Sequence, residues 1–161
     1  MTSADLQTLL DTYAQGGAKL RQAIAGLSRN ELLATPIPGK WSTQTVVLHL
    51  ADAEAAFADR MRRIIAQDDP LLLAWEENQF TARLMYDEQS ADDAATIVDL
   101  TRRQMSRVLH KLPPAAFERT GRHSERGPQT LLDVVRFAVA HLDHHLKFVY
   151  EKREKMGKSI L

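Results

Sequence analysis

Apolar residues recur along this chain at spacings of three and four, the period of one helix face, and the pattern predicts four amphipathic helices. The first, over residues 3 to about 27, carries Leu6, Leu9, Leu10, Tyr13, Leu20, Ile24 and Leu27. Gly16 and Gly17 interrupt it at a cost of about 1 kcal/mol each against Ala, so they mark a bend or a close helix approach. The next stretch, "SRNELLATPIPGKWS", contains Pro36, Pro38 and Gly39 and cannot continue a helix. A second helix opens on Ser42 as cap, with Trp41 before it stapled against Val46. Its stripe is Val46, His49, Leu50, Ala53, Phe57 and Ile64, and "QDDP" ends it. The third begins at "SADD", where Ser90 with Asp93 resembles a capping box. It runs through Ala94, Ile97, Val98, Met105, Val108, Leu109 and Leu112 to the stop at Pro113 and Pro114. The fourth is capped by Thr130, with Asp133 three residues on. Leu131, Val134, Ala138, His141, His145 and Phe148 line one face, and Gly157 lies past its end.

No strand pattern competes: "PLLLAW" is too short and lacks alternation. The expectation is an all-α four-helix bundle in one domain, residues 1–161, with helices about 33–39 Å long. The connections are long for an up-down bundle. The longest, residues 68–89, has the reach to cross a full helix length, which makes the second and third helices parallel.

Composition narrows the setting. Lys+Arg and Asp+Glu each number 21, so there is no basic field to attract nucleic acid or an anionic membrane. With 44% hydrophobic but only 6% aromatic residues, the core is expected to be aliphatic. Charges break every apolar run well before about 18 residues, so no bilayer span is expected. "MTSADLQTLL" lacks the basic and apolar regions of a signal peptide, and a cytoplasmic protein is expected. With no cysteine, disulfides, thiolate metal sites and a cysteine nucleophile are excluded.

Candidate chemistry lies in the histidines. Three of the six fall in "HLDHH". His141 and His145, four apart, are about 40° out of line on a helix and project from one face one turn apart. That spacing lets two imidazoles hold one ion. His49, on the core stripe of the second helix, supplies a third if the two helices are neighbours. Three neutral imidazoles leave a dication with an open position, the arrangement of a catalytic zinc. Such an ion lowers the pKa of bound water or deprotonates a bound thiol. The competing reading is that these histidines are packed or hydrogen-bonded core residues, and the pattern alone leaves both open.

The remaining candidates are weaker. His144 lies on the flank of the stripe. His110 sits near the end of the third helix, and His123, in "GRHSERGP", is a loop residue able to approach the bundle mouth. Asp52, one turn from His49, suits orienting a ligand or accepting a proton; a solvated face or a surface salt bridge is the plainer reading. Trp75 and Tyr86 suit either a pocket wall or a cover over one end of the core. No nucleophile elbow, phosphate loop or dinucleotide fingerprint is present.

"GKWSTQTVVLHLADAE" and "TLLDVVRFAVAHLDHHLKFVYEK", with "GRHSERGPQTL" ahead of the latter, resemble the DinB/YfiT-like superfamily of metal-binding four-helix bundles. The resemblance runs from about residue 6 to 152. It implies a divalent metal, zinc or nickel, on His49, His141 and His145. It also implies an up-down-down-up bundle and a homodimer. For activity it implies transfer of a low-molecular-weight thiol, such as bacillithiol or mycothiol, to an electrophile, or metal-dependent hydrolysis. In the hydrolytic case Asp52 and His144 are candidates to relay a proton. A non-catalytic metal-binding or stress-related module is the third expectation, and a fourth protein ligand closing the site would favour it.

Overall fold

In a computed structural model describing residues 2–159, helix α1 covers Ser3–Ile24, α2 Arg29–Leu33, α3 Thr43–Ala66, α4 Glu77–Arg83, α5 Ala91–Leu109 and α6 Leu131–Lys155. The long helices α1, α3, α5 and α6 are the four that hydrophobic spacing predicts, and their starts follow from capping. The Ser42 side chain accepts the Thr45 amide at the head of α3. Thr130 and Asp133 form a full capping box on α6. At α5 only the Ser90 half of the expected box forms. The short α2 was not expected, although Ser28 and Glu31 spell out its own capping box.

Side-chain contacts fix the helix directions. α1 and α5 are antiparallel, since Asp11 meets His110 at 3.0 Å while Arg21 pairs with Asp99 at 3.5 Å. α3 and α5 are parallel: Gln44 donates to the carbonyls of Tyr86 and Gln89 just ahead of α5, and further along Glu54 meets Arg102. α6 runs against α3, with Trp41 stacked on His145 and Phe57 edge-on to Phe137. The molecule is thus an up-down-down-up four-helix bundle, and residues 68–89 are its crossover. α1 and α3 sit diagonally, each packed against both α5 and α6.

Gly16 and Gly17 mark a close approach. A Cβ on Gly16 would stand 2.7 Å from Leu142 Cδ2, and one on Gly17 would collide with the backbone of Asp99. At this level the core changes from one apolar cluster, around Leu20, Val47, Val98 and Leu146, to another around Tyr13, Phe57, Met105 and Ala138. Between them lies a polar layer. Arg102 Nε donates to Glu54 Oε2 at 2.7 Å, Tyr13 donates to Glu54 Oε1 at 2.6 Å, and Arg102 Nη2 reaches the Ala138 carbonyl.

Three expectations need correction. Ile97 and Val108 are exposed; the buried line of α5 runs through Ala94, Val98, Arg102, Met105 and Leu109. A paired arginine stands where an apolar residue was sought, which tilted the predicted stripe. On α6 the deepest line is likewise rotated, through Ala138, Leu142, Leu146 and Val149, and His141 and His145 flank it half-buried. Finally, strands do form. β1 (Leu71–Leu72) pairs parallel with β2 (Thr120–His123), which pairs antiparallel with β3 (Gly127–Thr130). Gly127, at φ +75°, closes the β2–β3 turn in the left-handed region. "PLLLAW" therefore contributes a strand, too short to show alternation.

Candidate metal centre

α3 and α6, antiparallel neighbours, bring His49 level with His141 and His145. His49 is fully buried, and its Nε2 lies 3.1 Å from His141 Nε2. The His145 ring centroid is 4.6 Å from each of the other two. One nitrogen from each histidine lies within 4.8 Å of the others. Aromatic rings hold the group in place: Trp41 and Trp75 pack on His49 at 5.1 and 5.5 Å, and Phe57 stands edge-on to His141 at 5.5 Å.

This frame removes water, and desolvation dominates the electrostatics. It lowers His49 to a pKa of about 4, with Asp52 opposing. It lowers His141 to about 3, helped by repulsion from His145 and His49. It lowers His145 to about 4, with His49 and His144 adding to the effect. All three are neutral near pH 7, the state in which imidazole binds a metal.

The residues fit a divalent ion. Two nitrogens each about 2.0–2.1 Å from one tetrahedral ion lie about 3.3 Å apart, close to the observed His49–His141 separation. Among the described residues the Nδ1 atoms of His49 and His145 are buried without a hydrogen-bond partner, so neither ring's tautomer is fixed by a neighbour and Nε2 is free to present its lone pair to an ion. Glu77, in the first turn of α4, is the nearest carboxylate, with Oε2 3.9 Å from His49 Nε2.

Two cavities border the cluster. One, of about 210 Å³, lies between Trp41, Val46, Phe148 and Lys152 and is bordered by His145. The other, of about 320 Å³, is bordered by His141 and walled by Phe57, Arg60, Trp75, His123 and Arg126.

The other sequence candidates separate. Asp52 is half-buried and accepts a short hydrogen bond from the Tyr86 hydroxyl, so it is neither in the cluster nor on a freely solvated face. His144 is exposed, its ring edge-on to His145 at 5.3 Å. His110 caps α5 at the Ser106 carbonyl, and that bond, with Asp11, holds its pKa above the ordinary histidine value. His123 is not an exposed loop residue: it is the buried end of β2 and lines the larger cavity. Trp75 forms a pocket wall, whereas Tyr86 packs away from both cavities. Glu77 and Arg126 lie in segments whose placement beside His141 no periodicity reveals, whereas Arg60 does fall on the α3 stripe, between Phe57 and Ile64, where its charge hid it from a search for apolar residues.

Comparison with known proteins agrees with this picture. A "Putative metal-dependent hydrolase" of Bacillus mycoides is 24% identical over 86% of this chain and 80% of its own length. "Putative metal-dependent hydrolase YfiT" of Bacillus subtilis is 25% identical over 88% and 80%. The solved structure of YfiT, described as "a probable metal-dependent hydrolase with an unusual four-helix bundle topology", superposes with a TM-score of 0.91 at 20% identity. That match covers 99% of this chain and 91% of YfiT. The DinB superfamily profile matches residues 12–149, and the chain belongs to that superfamily.

Proposed function

We propose that the protein is a metal-dependent enzyme, with the ion on His49, His141 and His145, that joins a small thiol to an electrophile. The observation that carries this reading is the pair of cavities at one cluster, one bordered by His145 and the other by His141. Two spaces at one ion suit a reaction of two organic partners, a thiol in one and an electrophile in the other. A divalent ion there, zinc or nickel, would favour the thiolate over the thiol. Trp41 and Trp75 exclude bulk water, and the neutral imidazoles need lose no proton to bind. Glu77, whose Oε2 is 3.9 Å from His49 Nε2, would take the proton that the thiol gives up, whereas Asp52 lies outside the cluster and accepts from Tyr86.

The test is turnover of zinc-loaded protein with several low-molecular-weight thiols and an aryl halide. Thiol-dependent consumption of the halide is expected. Cleavage of ester or amide substrates at a rate indifferent to thiol would overturn the transfer reading. It would establish the second reading, metal-dependent hydrolysis, which the names of the relatives favour.

A further inference from the structure

The larger cavity is lined by two arginines, Arg60 and Arg126, that form no ion pair among the described residues. Arg60 is 6% exposed; its Nη2 donates to the Leu73 carbonyl at 2.7 Å, and its Nε is buried without a partner. Leaving a buried charged donor unpaired is costly, so the one carbonyl that Arg60 reaches leaves its charge only partly compensated. Arg126 reaches the same space from the β2–β3 turn, its guanidinium 5.0 Å from the Phe137 ring centre. Phe57 supports Arg60 in the same way at 5.9 Å. Burial, and after it repulsion from Arg126, hold Arg60 below its ordinary pKa.

His123 completes the wall. Its Nδ1 accepts the backbone N–H groups of Glu125 and Arg126 at 3.2 and 3.3 Å, so in the neutral ring the proton is on Nε2. The carboxylates on the lining, Glu76, Glu77 and Glu125, are all exposed. Among the described residues none is ion-paired with Arg60 or Arg126. Asp59 and Glu125 attract Arg60 only at a distance.

We infer that this cavity binds a small molecule carrying an oxyanion, its oxygens between Arg60 and Arg126 and its apolar part against Phe137 and Trp75, beside His141. Guanidinium forks match the geometry of carboxylate and phosphate oxygens, and aromatic walls with few polar anchors suit a small organic body. The inference rests on the reading of the cluster as the reaction centre, and names the chemical class of one of the two partners.

The test is binding of benzoate and phenyl phosphate to the full-length protein, zinc-loaded and chelator-treated, followed by calorimetry and by the Arg60 side-chain Nε–H signal in NMR spectra. Binding is expected in both metal states, with a shift of that signal. Neutral benzamide should bind at least tenfold more weakly, as should benzoate to Arg126→Gln and Arg60→Lys. The tighter of the two anions identifies the oxyanion. Arg126 is exposed, so its variant stays informative if Arg60→Lys fails to fold. Benzamide binding as tightly as benzoate would overturn the inference. So would benzoate binding only the zinc-loaded protein with no effect of Arg126→Gln, since the anion would then be a ligand of the ion. Failure of zinc to bind at all would sink the metal-centre reading and leave the anion result standing.

Discussion

Arg102 and Glu54 are each about 2% exposed, and their pairing decides what a change at either would do. Removing the guanidinium leaves a carboxylate buried with only the Tyr13 hydroxyl. Arg102→Met should cost about 3–5 kcal/mol in urea unfolding, and the double change Glu54→Met with Arg102→Met should recover much of it, because no charge is then stranded. At the candidate centre the chemistry separates by residue. Ala at His49, His141 or His145 should each abolish stoichiometric metal in elemental analysis of tag-free protein. Glu77→Gln should keep the metal and lower turnover by roughly 100-fold, the range of a lost general base. Loss of metal in Glu77→Gln would instead make Glu77 a fourth ligand and point to a closed, structural site.

At the scale of elements, α1 against α5 and the start of α6 carry distinct predictions. Gly17→Ala gains helix propensity of about 1 kcal/mol, yet drives a methyl into the backbone of Asp99. The net effect should be destabilising by about 1–3 kcal/mol, read from the urea midpoint at constant slope. Thr130→Ala removes the side-chain half of the α6 capping box and leaves the backbone N–H of residue 130 on Asp133, at a cost of about 1 kcal/mol at neutral pH. Hydrogen bonds from the Thr130 side chain and amide hold the Asp133 carboxyl below its usual value. A carboxyl lowered in the fold stabilises it above the unfolded value, about 3.9, and ceases to do so as pH falls through the folded value. The gap between wild type and Thr130→Ala should therefore narrow below about pH 4. Such caps are what made the long helices legible in the sequence, since Ser42, Ser90 and Thr130 each precede an apolar period. The His pair was legible for the same reason, being four apart on a helix. The sheet was not: β1 is two residues long, and β3 contains Pro128, so their pairing depends on where the crossover lands. Nor were Arg60, Glu77 and Arg126, which α3, α4 and the β2–β3 turn bring to one cavity only in the folded chain.

At the scale of the whole molecule, the candidate metal centre joins helices whose histidines are 92 residues apart in sequence, His49 and His141. The ion would clamp α3 to α6 at the seam between the two apolar clusters, where the core is most polar and gains least from hydrophobic burial. An ion bound to the folded chain alone stabilises it by mass action: about 2.7 kcal/mol at a free concentration a hundredfold above Kd. For a chain of this size that is roughly 5–10 °C in Tm. Chelation should lower Tm by that amount, and added zinc should restore it. His145→Ala should be indifferent to both treatments, because it lacks one jaw of the clamp. Since desolvation already holds the three imidazoles neutral, the zinc-dependent gain should change little between about pH 6 and 8. Ordinary surface histidines, titrating near 6.5, would instead bind progressively less zinc toward the acid end of that window. Scanning calorimetry across it therefore distinguishes ions held in the buried cluster from ions held elsewhere on the protein.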